Sequence, residues 1–151
     1  MPYSHLPDPV RDTQFYQGVT LRRVFAWVID SLLLAVFVAV SLPILGLATL
    51  GIGFLFAPAV AISLAILYRG WSLQAWGATP GMRLFGIEMR DISGRKPPTA
   101  TAFWHAALFV GVSLTVIGWL IWCLMILGSA RGQSLGDLLL GTVVINRPAD
   151  F

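Results

Sequence analysis

The sequence predicts an all-α membrane protein, a bundle of three transmembrane helices with a short cytoplasmic β element. The first observation is composition: 57% of the 151 residues are hydrophobic and 11% are charged, whereas soluble domains are roughly 45–50% apolar and about 25% charged. The second is that the apolar residues fall into three long runs. So few charges cannot cover a soluble surface, which excludes a soluble enzyme, a disordered chain and a nucleic-acid-binding module.

The apolar runs define the predicted spans. The first covers residues 24–45 and the second covers residues 50–68, and each is long enough to cross the ~30 Å hydrocarbon core of a bilayer. A glycine-rich turn joins them, and Pro58 predicts a kink in the second helix. Residues 103–128 form the third run.

Basic residues predict the orientation. Arg22 and Arg23 precede the first span, and the loop of residues 69–102 carries a net positive charge between the second and third runs. Because cytoplasmic flanks of spans are enriched in Lys and Arg, both segments are expected in the cytoplasm. The prediction is a multi-pass membrane protein, one domain over residues 1–151, with a cytoplasmic N-terminus.

The third run allows two interpretations. Residues 103–128 form either one tilted helix, or a hairpin that breaks near residues 115–118 and returns the C-terminus to the cytoplasm. Arg131 follows the run, as expected of a cytoplasmic flank. Residues 83–91 roughly alternate between apolar and polar side chains and residues 142–145 are β-branched, so both are predicted as strands. If these strands pair, they lie on one side of the membrane, which favours the hairpin.

Asp30 lies within the first span, where an ionised carboxylate is costly unless it is paired, hydrated or protonated. Arg23 lies two helical turns earlier on the same face and is the expected electrostatic partner. Ser41 falls on the same stripe and Ser31 is adjacent. One interpretation is a proton or cation site in a polar crevice. The other is a structural aspartate that hydrogen-bonds neighbouring helices or stays hydrated near the interface.

No motif predicts catalysis or a cofactor. No His, Cys, Asp and Glu spacing suits a metal, and no phosphate-binding or dinucleotide-binding fingerprint occurs. The serines lack a His and Asp set for nucleophilic catalysis. His105, at the start of the third run, is expected to be an interfacial side chain. We therefore expect neither an enzyme nor a bound cofactor or metal.

Three passages carry a resemblance to a known family. Residues 22–31 (RRVFAWVIDS) place an arginine at the mouth of the first span and an aspartate inside it. Residues 76–87 (WGATPGMRLFGI) contain a Thr-Pro-Gly stretch after the second span, and residues 133–145 (QSLGDLLLGTVVI) carry another aspartate. Together they resemble the RDD family of small bacterial membrane proteins, named for one arginine and two aspartates. The resemblance implies a location in the bacterial inner membrane. Order and spacing agree over about residues 15–147.

The resemblance implies that Arg23, Asp30 and Asp137 form a charge set. Arg22, Ser31 and Ser41 are secondary candidates because of their positions beside this set. If the C-terminus returns to the cytoplasm, Asp137 reaches the membrane face beside Arg23. An Arg23–Asp137 pair would then clamp the C-terminal segment onto the first span. Exchanging the two charges is expected to rescue what either single substitution breaks.

The sequence departs from the family at three places. Met82 stands where the family often has lysine, and Gly136 stands where a histidine often precedes the second aspartate. The family also commonly has an arginine near Trp104 and His105. These losses of basic groups argue against a proton-relaying histidine beside the second aspartate.

The resemblance favours a transport function, because the family is described as involved in transport. We expect cation- or proton-coupled transport with Asp30 as the titrating site and Asp137 as a gate or clamp. So few helices enclose little interior, which favours a homo-oligomer with a path between protomers. The expected partners are the lipid bilayer, a second copy, and a small cation or proton, with no nucleic acid. The alternative is a non-transporting membrane scaffold or accessory subunit in which the three charges are structural.

Overall fold

The computed structural model describes residues 6–148 and is mostly helical. In chain order its helices and strands are α1 (Val19–Ala48), α2 (Ala57–Trp76), α3 (Pro80–Leu84), β1 (Ile87–Asp91), α4 (Thr99–Ser113), α5 (Val116–Gly128), α6 (Leu135–Leu140) and β2 (Thr142–Asn146). Short 3-10 turns at Thr13–Phe15 and Ile52–Phe56 precede α1 and α2.

The first two long helices are apolar and largely uncovered. With their 3-10 turns, they form continuous helical stretches over Thr13–Ala48 and Ile52–Trp76, with mean hydropathies of 2.5 and 1.8 in their most apolar windows. Only 6% and 11% of those windows is buried inside the protein. In water such faces would expose large apolar patches, whereas in a bilayer they meet lipid. These two helices therefore suggest a membrane protein, in agreement with the composition.

The ends of α1 and α2 differ from the predicted spans. The predicted kink at Pro58 is wrong, because Pro58 lies in the first turn of α2, where its missing N–H costs no hydrogen bond. Helix α2 continues to Trp76, so Arg69 belongs to the helix and the polar connection begins at Gly77. Likewise α1 begins at Val19 and already contains the arginines that were expected to precede it.

The third apolar run is broken, as in the hairpin interpretation. Helix α4 ends at Ser113, and Thr115 starts α5 by accepting a hydrogen bond from Gly118 N at 3.1 Å. The Trp122 ring of α5 lies 5.6 Å from His105 and 5.3 Å from Phe109 of α4, measured between ring centroids, so α5 folds back on α4. With 15 and 13 residues, the helices are about 23 and 20 Å long, shorter than a ~30 Å hydrocarbon core.

The predicted strand pair is present. Strands β1 and β2 are antiparallel, with Met89 opposite Val144. The first strand starts at Ile87 and not at Arg83, because the Thr79 side chain caps the short helix α3 that precedes it. Ile87, Met89 and Val144 are buried in one core cluster with residues of α1 and α2. The sheet therefore packs on the end of the bundle where α1 begins.

The strand register can be tested by cross-linking. In a Cys123→Ser background, Met89→Cys with Val144→Cys should form a disulfide on mild oxidation, because directly opposed residues of antiparallel strands lie within disulfide distance. Mass spectrometry detects the loss of the two thiol hydrogens. Met89→Cys with Val143→Cys is the control, since neighbouring side chains of a strand point to opposite faces. Equal cross-linking of both pairs would contradict this register.

Candidate functional site

Asp137 lies in the first turn of α6, where the local sequence forms a capping box. The Ser134 hydroxyl accepts from Asp137 N, and Asp137 Oδ2 accepts from Ser134 N at 2.9 Å. Ser134 Oγ also donates to Asp137 Oδ2 at 2.8 Å. A Ser followed three residues later by an acidic side chain favours this helix start. The carboxylate is therefore fixed by its own helix before any distant residue reaches it.

Three other segments converge on the same carboxylate. Arg23 Nη2 of α1 donates to Oδ2 at 2.9 Å, and Thr142 Oγ1 of β2 donates to Oδ1 at 2.9 Å. His105 Nε2 of α4 lies 3.0 Å from Oδ1. Arg23 also donates through Nη1 to the carbonyl of Gly132 at 2.8 Å. We call this set, Asp137 with Ser134, Arg23, His105 and Thr142, the Asp137 cluster.

The charge state of Asp137 follows from these contacts. Burial by itself raises the pKa of the Asp137 carboxyl. The Arg23 guanidinium, the His105 ring and the Ser134 N–H outweigh burial and hold this pKa well below its usual range. Asp137 is therefore ionised, and His105 Nε2 acts as the donor in their hydrogen bond.

Asp30 forms a second cluster, further along α1. Its Oδ1 accepts from the Tyr68 hydroxyl at 2.7 Å and from Gly81 N at 2.9 Å, and its Oδ2 accepts from Thr79 Oγ1 at 2.6 Å. Arg69 Nη1 lies 3.9 Å from Oδ2, close enough to balance charge but outside hydrogen-bond distance. We call Asp30 with these four residues the Asp30 cluster.

Gly81 allows α3 to sit directly on α1. A Cβ at this position would collide with the backbone oxygen of Ala26 and would lie 2.8 Å from Asp30 Oδ1. Only a residue without a side chain therefore brings its N–H to the Asp30 carboxylate. The Thr-Pro-Gly stretch thus supplies two donors to Asp30, the Thr79 hydroxyl and the Gly81 N–H.

A cavity of about 280 Å³ lies between α1, α2, α4 and α5, with Met82, Met89 and Val144 also in its wall. Arg23, Asp30, Arg69 and His105 contribute the charged and titratable part of its wall, and the aromatic part comes from Trp27, Phe109, Trp119 and Trp122. Most of the remaining lining is aliphatic. Both clusters therefore contribute to the same internal surface.

The structure corrects two assignments made from the sequence. Arg23 was expected to be the electrostatic partner of Asp30, but its guanidinium binds Asp137 and Gly132, and Arg69 is the cation beside Asp30. His105 is not an interfacial side chain, because it is 1% exposed and contacts Asp137.

The secondary residues lie outside both clusters. Among residues 6–148, Ser31 and Ser41 make no hydrogen bond to Asp30, although both lie on α1. Arg22 is exposed and donates to the Phe85 carbonyl at 3.1 Å, which ties α1 to the end of α3. The described part of the chain holds no group of three or more His, Cys, Asp or Glu side chains arranged to bind a metal.

The RDD family model matches residues 18–141, which covers most of the chain and includes the Asp30 cluster and, apart from Thr142, the Asp137 cluster. The chain belongs to the RDD family. No curated protein and no solved structure matches it significantly. In this RDD protein the arginine and the second aspartate meet in the Asp137 cluster, whereas the first aspartate has a separate set of partners.

The departure at Gly136 has a steric reason. A Cβ at Gly136 would lie 2.6 Å from the Trp122 ring and 3.2 Å from His105 Cδ2. His105 and Trp122 therefore fill the space that a histidine at position 136 would need, and His105 brings an imidazole to Asp137 from α4 instead. The sequence carried one signal of this exchange, the coincidence of a missing histidine at 136 with a histidine at 105.

We expect Asp137 to make the folded protein less stable as the pH falls. Its folded-state pKa lies below the ~3.9 of an unfolded aspartate, so its contribution is complete above about pH 5 and is lost as pH falls toward the folded pKa. At neutral pH, Asp137→Asn should cost ~3–5 kcal/mol, because Arg23 stays largely buried without its anion. Thermal unfolding in maltoside micelles between pH 7 and pH 3 measures both effects.

Asp8→Asn is the matched control, because Asp8 is an exposed carboxylate in the N-terminal turn. Its profile should stay close to that of the wild type, whereas the Asp137→Asn profile should be flatter below about pH 4. If the wild type and the Asp137→Asn variant lose thermal stability in parallel as the pH falls, Asp137 is not the acid-sensitive group.

Proposed function

We propose that this RDD protein is a membrane transport protein, coupled to a cation or a proton, in which Asp30 binds and releases the ion. One observation carries the proposal: among the described residues, Asp30 is the carboxylate that lines the cavity. Asp137 does not line it and is enclosed by donors from four segments. Asp30 is therefore the carboxylate that an ion in the cavity would meet.

The donors around Asp30 suit a group that changes its charge. Tyr68 and Thr79 contribute hydroxyl groups, which can donate to a carboxylate or accept from a carboxylic acid. Hydroxyl and carboxylate oxygens are also ligands that hard cations accept. Arg69 balances the charge without occupying either oxygen, since its Nη1 is 3.9 Å away. This arrangement supports reversible ion binding at Asp30.

We also propose a multi-pass topology in a bacterial inner membrane, and the distribution of charge supports this topology. Arg22, Arg23 and Lys96 belong to the end that holds the sheet, whereas the connection of residues 49–56 and the junction at residues 114–115 carry no charge. The positive-inside rule then favours a cytoplasmic sheet and N-terminus. In this topology α1 and α2 cross the bilayer, and the α4–α5 hairpin enters it and returns.

We further propose that the protein works as a homo-oligomer. Leu32, Val36 and Val40 form an exposed apolar stripe along α1, with 60%, 59% and 57% of their surfaces uncovered. A second copy packed against this stripe would extend the polar wall of one cavity into a path between protomers. The lipid bilayer, a second copy and a small cation or proton are thus the proposed partners.

Asp30→Asn should abolish transport without unfolding the protein. Asparagine keeps an acceptor for Tyr68 and Gly81, and the Thr79 hydroxyl can accept from the new amide, but the side chain no longer carries a charge or a titrating proton. Purified protein is reconstituted in liposomes that hold a pH-sensitive dye, and a cation gradient is imposed. We expect cation-dependent proton movement in the wild type and only the protein-free background in the variant.

Asp91→Asn is the matched control, because the same substitution then falls at the last residue of β1, away from the cavity. It should keep the wild-type flux. Thermal stability of all three proteins is followed in parallel in detergent. Wild-type flux in a folded Asp30→Asn protein would refute the proposed role of Asp30.

A second candidate is a non-transporting membrane scaffold or accessory subunit, favoured by the complete hydrogen bonding of both buried carboxylates. In that case neither the wild type nor the variant moves ions, and Asp30→Asn lowers thermal stability. The same liposome and stability measurements therefore separate the two functions. Neither candidate requires enzymatic chemistry or a cofactor.

A further inference from the structure

Arg69 is an incompletely partnered cation inside the cavity. Its side chain is 15% exposed, and a guanidinium carries five N–H donors. Among residues 6–148, none of these donors makes a hydrogen bond: the nearest carboxylate oxygen is 3.9 Å away, and Nε is enclosed without a partner. The guanidinium carbon lies 3.9 Å from the centroid of the Phe109 ring, which holds the group in place by a cation–π contact.

The contrast with Arg23 shows what Arg69 lacks. Arg23 donates to the Asp137 carboxylate and to the Gly132 carbonyl. The Asp30 carboxylate does not serve Arg69 in the same way, because its Oδ2 is 3.9 Å from Arg69 Nη1, outside hydrogen-bond distance. Unmade hydrogen bonds of a buried charged group are costly. The Arg69 guanidinium therefore lacks a hydrogen-bond acceptor, and a bound ligand could supply one that the described residues do not.

The other residues that line the cavity indicate the size and polarity of the rest of such a ligand. Trp27, Phe109, Trp119 and Trp122 form an aromatic lining. At about 280 Å³, the cavity is at the lower end of ligand-site volumes, so it takes a small molecule or part of a larger one. An acceptor for Arg69 carried on an apolar body would match both parts of the wall.

The rim of the cavity indicates the direction of entry. Val24 of α1 and Leu127 of α5 line the cavity and are 51% and 70% exposed. Trp27 and Trp119 bridge the same two helices, with ring centroids 6.1 Å apart. These apolar side chains lie on the outer surface of helices that suit a lipid environment, so the cavity opens sideways between α1 and α5.

We infer that this cavity binds an anionic amphiphile from the lipid phase, with its carboxylate or phosphate on Arg69 and its apolar body against the tryptophans. Arg23 is paired with Asp137 at 2.9 Å, whereas Arg69 makes no hydrogen bond to Asp30, so Arg69 is the cation on the wall that can bind an anion. A guanidinium binds carboxylate and phosphate oxygens in a bidentate manner. The inference goes beyond the proposed function, because it requires no ion movement through Asp30.

The test uses Cys123, the one cysteine of the chain, which lines the cavity and is partly exposed. Purified protein in maltoside micelles, which bring no anion, is alkylated with N-ethylmaleimide in the presence of decyl phosphate or decanol. We expect decyl phosphate to slow alkylation in a saturable manner and decanol at equal concentration to leave the rate unchanged. Equal protection by both would overturn the inference without any variant.

Substitution then assigns the binding to Arg69. Arg69→Gln should raise the decyl phosphate concentration for half-protection by about tenfold or more, the loss expected for charge-assisted hydrogen bonds. Arg11→Gln, at an exposed position outside the cavity, should not change it. An unchanged half-protection concentration in a folded Arg69→Gln protein would overturn the assignment.

Two further probes separate the sources of the anion. Dioctanoyl phosphatidylglycerol should protect Cys123 at concentrations comparable to decyl phosphate, whereas inorganic phosphate should protect only at much higher concentration. Protection by inorganic phosphate at the same concentration as decyl phosphate would overturn entry from the lipid phase in favour of a soluble anion. No gradient is present, so a failure of ion transport through Asp30 leaves these outcomes unaffected.

Discussion

The packing of the helices and strands around the two-stranded sheet depends on one constraint. A carboxylate that is buried among apolar helices needs a hydrogen-bond donor for each of its oxygens. Asp137 meets it with Arg23 from α1, His105 from α4, Ser134 before α6 and Thr142 from β2. Arg23 and His105 are distant from Asp137 in the sequence, and all four segments have to take their observed places for the carboxylate to be satisfied. An unpaired buried charge is far more costly than an exposed one. The cluster therefore specifies how the returning chain docks on the first helix.

Asp30 imposes the same constraint on α1, α2 and α3 but meets it differently. Its oxygens accept from two hydroxyls and one backbone N–H, and its cation Arg69 stands back at 3.9 Å. The Asp137 cluster is thus closed by a direct ion pair, whereas the Asp30 cluster leaves a cation directed at the cavity. We therefore propose a structural role for Asp137 and contact with an ion or a ligand for Asp30 and Arg69. The hydrogen bonds from α3 to Asp30 require α3 to approach α1 closely, and this approach requires Gly81.

The sequence predicts those parts of the structure that produce a periodic pattern of apolar residues or that match a family motif. The apolar runs predict α1 and α2, the alternating and β-branched segments predict the sheet, and the resemblance predicts the contact of Arg23 with Asp137. The roles of Arg69 and His105 were missed because each sits at the end of an apolar run, where a polar residue is typical of a membrane interface. Only the packing of α4 against its neighbours shows that both are inside. The surroundings of Asp137 also remove the basis for rescue by charge exchange, because an arginine there would face the donors of Ser134, Thr142 and His105.

The central claim is that Arg23 serves Asp137 and not Asp30, and double-mutant cycles on the free energy of unfolding test it most directly. One cycle combines Arg23→Gln with Asp137→Asn, and the other combines Arg23→Gln with Asp30→Asn, all measured in the same detergent. Residues in direct contact couple by about 0.5–3 kcal/mol, whereas residues without shared partners are nearly additive. We expect the coupling of Arg23 with Asp137 to exceed its coupling with Asp30 by at least ~1 kcal/mol. Equal couplings, or a stronger coupling with Asp30, would contradict the two-cluster arrangement.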